Sequence, residues 1–81
     1  MSRVVKKTEK PKTTFITNAQ EFGKVIQYKR TSLNLTIKQM ADFSQLNERT
    51  ISNIEKGNER VNLGNALKVA HLLGVIISFE E

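Results

Sequence analysis

Residues 36–57, TIKQMADFSQLNERTISNIEKG, hold two helix starts eleven residues apart, with a single short break between them. Thr36 carries the oxygen that a helix start needs, and Gln39, three residues on, can bond back to the cap backbone. Ile37, Met40, Ala41 and Phe43 then supply a mostly apolar face. Ser44, Gln45 and Leu46 break this helix. Asn47 is a second good cap, followed by residues 48–56 with Ile51 and Ile54 apolar. Gly57 stands where a helix can end in a left-handed residue.

Two helices of this size on a connection of three to four residues match the helix-turn-helix unit, whose second helix lies in the DNA major groove. The solvent face of that second helix carries Glu48, Arg49, Ser52, Asn53 and Lys56. Arg can read guanine bidentately, Asn can read adenine, and Ser serves either role. A polar outer face on a short helix is often merely solvated, so the reading rests on what the rest of the chain adds.

At 81 residues the chain is one small domain, and a core of this size gains from a partner subunit. It has no cysteine, so neither disulfides nor a thiolate metal site can form, and a reducing cytoplasm fits. No apolar run approaches the roughly 18 residues of a membrane span. The basic N-terminus runs into Thr, Glu, Lys and Pro instead of an apolar stretch, which does not read as a secretory signal. The net charge of +5 is unevenly placed. Residues 1–14 carry Arg3, Lys6, Lys7, Lys10 and Lys12 against Glu9, a net +4, and the remaining residues are nearly neutral. A cationic tail on a small neutral domain suggests a polyanion, most often nucleic acid; the plain alternative is a solubilising terminus.

Residues 1–14 lack apolar periodicity and hold the only proline, and read as a flexible basic tail. Phe15, Ile16 and Thr17 form a short apolar lead-in to the domain, residues 15–74. A first helix is expected over about 18–32, capped by Thr17 with Gln20 or by Asn18 with Glu21. Phe22, Val25, Ile26 and Leu33 supply its core face. Gly23 inside it costs about 1 kcal/mol relative to alanine and needs a packing reason, such as a closely approaching helix. Lys29 lies near the apolar stripe and Tyr28 at the surface. Beyond the polar loop Asn58-Glu59-Arg60, Asn62 caps a fourth helix over about 63–73. Leu63, Ala66, Leu67, Val69, Ala70 and Leu73 face inward and Gly74 closes it. His71, the only histidine, has no companion at ligand spacing, so no metal site is expected.

The last segment, VIISFEE, changes period. Val75, Ile77 and Phe79 fall on one side, Ile76 and Ser78 on the other, which predicts a β-strand over 75–81. A lone strand leaves its backbone unpaired, and its natural partner is the same strand of a second copy across a two-fold axis; residues 13–17 are another possible partner. The fold expected is therefore all-α: a compact four-helix domain with a C-terminal strand that pairs across a homodimer.

Residues 22–74 resemble the lambda-repressor and Cro type of helix-turn-helix, the xenobiotic-response-element family. The resemblance is carried by Gly23, Ile26 and Arg30, then Leu35-Thr36, Met40-Ala41, Thr50-Ile51-Ser52, Ile54-Glu55, Gly57 and Leu73-Gly74-Val75. It implies a structural ion pair between Arg30 and Glu55, tying the first helix to the third. It also implies base and nearby phosphate contacts from Asn47, Glu48, Arg49, Ser52 and Asn53. Thr36, Ile37 and Lys38 would face the backbone, with Lys56 and Asn58 touching it beyond. The chain departs from the family at Gln45, where glycine is common, and at Ile37, where a phosphate-contacting glutamine is common. The first departure strains the turn and the second weakens that contact.

Within the family, a helical domain followed directly by a short hydrophobic strand resembles the antitoxins of HipA-type kinase toxins. The resemblance implies an autoregulating repressor that also holds a kinase toxin. A phage-type or autoregulatory repressor without a toxin remains open, as does an interaction protein that acts mainly by inhibiting a partner. An enzyme is disfavoured, because the chain offers no nucleophile–base–orienter set and no glycine-rich phosphate loop, and no cofactor is expected. The mechanism expected is a homodimer presenting two recognition helices about 34 Å apart to successive major grooves of an inverted repeat.

Overall fold

The computed structural model describes residues 5–11 and 15–78. Four helices follow one another: α1 (Ala19–Ser32), α2 (Ile37–Ser44), α3 (Glu48–Lys56) and α4 (Leu63–Leu72). Each begins at the side chain expected to accept from a free N–H of its first turn. Asn18 Oδ1 accepts from Glu21, Asn47 Oδ1 from Thr50 at 2.7 Å, and Asn62 Oδ1 from Asn65. At α2 the capping box is complete, Gln39 N–H donating to Thr36 Oγ1 and Thr36 N–H to Gln39 Oε1. Of the two starts considered for the first helix, Asn18 is the cap, and Glu21 Oε1 accepts from Thr17 instead.

The core is built by Ile26 from α1, Met40 and Ala41 from α2, Ile51 and Ile54 from α3, and Val69, Ala70 and Leu73 from the last helix and its end. Gly23 has the packing reason its place required. A Cβ there would meet the carbonyl oxygens of Ile54 and Glu55 at 2.5 Å, so only glycine lets α1 lie on the end of α3. Gly57 ends α3 at φ 78°, packed against Gln20.

Four side chains expected inside lie outside: Leu33, Phe43, Leu63 and Leu67. In α2 the buried ridge runs through Met40, Ala41 and Ser44, which turns Phe43 to solvent. Ser44 tolerates full burial because its hydroxyl donates to Met40 O at 2.7 Å. In α4 the ridge Ala66–Val69–Ala70–Leu73 faces the core, and Leu63 and Leu67, four residues apart at the margin of that ridge, are 71% and 42% exposed.

The C-terminal segment also differs from expectation. Val75 N–H bonds Ala70 O at 2.9 Å and its side chain packs on the core, but residues 75–78 have no regular secondary structure. Ile76, Ile77 and Ser78 are all exposed, so the expected two-sided alternation does not appear. Among the described residues there is no neighbouring strand for them to bond. Phe79 and the two glutamates after it lie outside the described residues.

Candidate nucleic-acid interface

α3 owes its position to what lies behind it. Ile51 and Ile54 are buried, and Glu55 receives a two-pronged bond from Arg30, Nε to Oε2 at 2.6 Å and Nη2 to Oε1 at 3.0 Å. The third edge of the guanidinium, Nη1, donates to Leu35 O at 2.6 Å. Arg30 thus fixes the end of α3 and the loop before α2 at once. Charge-assisted forks of this kind set both distance and orientation. With both side chains less than 10% exposed, the pair has little access to water.

With that side held, Glu48, Arg49 and Lys56 stand exposed on the outer face, while Ser52 and Asn53 are half-buried at its edge. Asn47 is exposed, but its Oδ1 caps α3, so its amide NH2 is what it has left to offer a base edge. The same accounting applies at α2. The capping box uses the N–H of Thr36 and one acceptor site of its hydroxyl, so the helix start can offer a phosphate the Thr36 O–H and the N–H groups of Ile37 and Lys38. The starts of α2 and α3 share a single open cleft, lined by Thr36, Ile37, Lys38 and Glu48. Lys56 and Asn58 sit at the other end of α3. Asn58 also holds the chain locally, its N–H donating to Asn53 O and its Oδ1 accepting from Arg60 N–H, which closes the loop after α3.

Gln45 joins the two helices at φ 60°, ψ 32°, the left-handed conformation that glycine commonly supplies. Its N–H and that of Leu46 bond Asp42 O and Ala41 O, which hold the turn. A non-glycine residue there is strained by about 1 kcal/mol. The turn keeps its geometry all the same, and α2 and α3 pack directly on each other.

Residues 5–9 line the same cleft from the α1 side, a feature that apolar periodicity could not disclose. Among the described residues, no group of three or more His, Cys, Asp or Glu could hold a metal ion, and no helix is long and apolar enough to cross a membrane.

A polar helix face standing clear of a buried two-helix junction is the arrangement of a DNA-reading module. The family model described as helix-turn-helix matches residues 26–78, which include α2 and α3 whole. The chain belongs to the helix-turn-helix family of DNA-binding transcription regulators. No curated protein matches it.

Proposed function

We propose that the protein is a sequence-specific transcriptional repressor that works in the cytoplasm as a homodimer on an inverted-repeat operator. The observation that carries this reading is the outer face of α3. Arg49 is exposed beside the half-buried Ser52 and Asn53, on a helix whose far side is locked by Arg30. Arg49 and Asn53 supply most of the base discrimination, about 1–3 kcal/mol for each good bidentate pair. Glu48 accepts from a cytosine amino group or repels unsuitable bases. The Ile37 and Lys38 N–H groups, with Lys56 and Asn58, hold the phosphates on either side.

The second copy is supported by the apolar side of α4. Leu63 and Leu67 leave the core ridge for solvent, and Ile76 and Ile77, both exposed, lie beside Leu67 and His71 around one shallow hollow. Residues 75–79 pair across the two-fold axis in this reading, covering what a single chain leaves open.

A second reading adds a protein partner, the kinase toxin of a HipA-type module, with this chain as its autoregulating antitoxin. It is favoured by a separate apolar patch around Leu33, Phe43 and Leu72, which shares no residue with α3's outer face or the α4 hollow. A gel-shift titration on the gene's own upstream region tests the main reading. Binding should survive random competitor DNA, and Arg49→Ala should lower affinity and relax discrimination among operator variants while the protein stays folded. Unchanged discrimination would remove Arg49 as a reader; binding abolished by competitor would remove sequence-specific recognition.

A further inference from the structure

The N-terminal segment does more than carry charge. Residues 5–11 have no regular secondary structure, yet Val5, Thr8 and Pro11 are half-buried while Lys6, Lys7, Glu9 and Lys10 are exposed. A spacing of three is the period of an extended polyproline-like strand, which turns every third side chain to the same side. The middle of these three is fixed by α1. Thr31 is 3% exposed, and its hydroxyl donates to Gln27 O at 3.0 Å and receives Thr8 N–H at 3.2 Å. The Thr8 hydroxyl lies 3.1 Å from the same oxygen. The single Thr31 proton has Gln27 O and, at 3.2 Å, Tyr28 O as acceptors within its own helix, which leaves the oxygen's lone pairs for Thr8. A buried threonine bonded in this way is a built seat for the arm.

From that seat the chain leads Lys7 and Lys6 along the cleft that Thr36, Ile37 and Lys38 line from the other side. We infer that residues 5–9 are a docked arm that continues the phosphate-contacting surface at the start of α2, with Lys6 and Lys7 held on the DNA backbone by the Thr8–Thr31 latch. The inference rests on the DNA-binding reading above and gives it a second, sequence-independent contact. Lys6, Lys7 and Lys38 outnumber Glu9 and Glu48 at this cleft, so its balance favours an anion. A latched lysine loses less freedom on binding than one on a free tail, so the latch strengthens each phosphate contact without touching DNA itself.

The test is an anisotropy titration of the full chain on a 24-base-pair duplex at several salt concentrations. It compares wild type, the double variant Lys6→Ala/Lys7→Ala, Thr8→Pro, and all three substitutions together. Proline has no N–H to give Thr31, and residue 8 lies outside the helical domain, so folding is not at stake. The lysine double variant should lower the salt slope by about 1.8, since each phosphate contact contributes about 0.9, and weaken binding roughly tenfold. Thr8→Pro should weaken binding severalfold in the wild-type chain and add nothing once the lysines are gone. An unchanged salt slope in the lysine variant would overturn the arm as a phosphate contact. Tighter binding by Thr8→Pro would show that the arm covers the DNA face instead, and an undiminished Thr8→Pro effect in the combined variant would refute the latch. The proposed function fails differently: wild type that binds this duplex and an operator equally well has no sequence reading, whatever the arm contributes.

Discussion

α3 and α4 are neighbours in sequence and close in length, and they leave opposite kinds of surface to water. Behind α3 the polar groups are paired: Arg30 forks onto Glu55, Asn47 caps Thr50, and Gly23 lets the α1 backbone touch the helix end. What remains outside is charged and polar. α4 is apolar beyond its core ridge, and Leu63 and Leu67 at the margin of that ridge are left uncovered. A face that is polar above a rigid back suits a nucleic acid, whereas an apolar face on a small domain marks a protein contact. In the proposed function, reading DNA and meeting another chain fall to successive helices, and the two should be separable by mutation.

The strongest way to break the contrast is to unlock the back of α3. Glu55→Ala leaves the Arg30 guanidinium buried beside Leu35 O without its counter-charge, and should cost about 3–5 kcal/mol in urea unfolding. Gly23→Ala pushes α1 off the Ile54 and Glu55 carbonyls and should cost up to about 3 kcal/mol by the same measurement. Arg49→Ala should reduce operator affinity by about 1–3 kcal/mol, read by anisotropy, with unfolding shifted by no more than about 0.5 kcal/mol. Leu63→Ser with Leu67→Ser sharpens the other side. The isolated domain should keep its fold to within about 0.5 kcal/mol, because both leucines are exposed, while sedimentation shifts from dimer to monomer. A double serine variant that stays dimeric would place the second copy elsewhere.

Much of this is legible in the sequence because it is local. Caps act within four residues, so Thr36, Asn47 and Asn62 announce their helices without any knowledge of tertiary structure, and the first start is narrowed to Thr17 or Asn18. The close approach at Gly23 can be inferred from its cost, although not which carbonyls it meets. What sequence misses is the direction of single side chains on amphipathic helices. Phe43 and Ser44 are adjacent, and hydrophobicity favours the phenyl ring for the core, whereas a hydroxyl that can return its proton to Met40 O is buried instead. Leu63 and Leu67 read as core because a sequence does not show which apolar residues of a helix its own domain covers. The outer face of α3 is readable as a set of residue types. The caps at Asn47 and Thr36 are readable as well, and the hydrogen bonds fix which side-chain groups each has left for DNA. The docking of residues 5–9 rests on a three-residue spacing and one buried hydroxyl, neither of which stands out against a run of lysines.

The division of labour is tested most directly by selecting binding sites for the purified protein from a library of randomised duplexes. Two copies joined through the α4 side, each reading with α3, predict an inverted repeat whose half-sites are centred about 10 base pairs apart. Arg49→Ala should lose preference at one position in each half. A single unpaired half-site, or no shared sequence among the selected duplexes, would contradict the account.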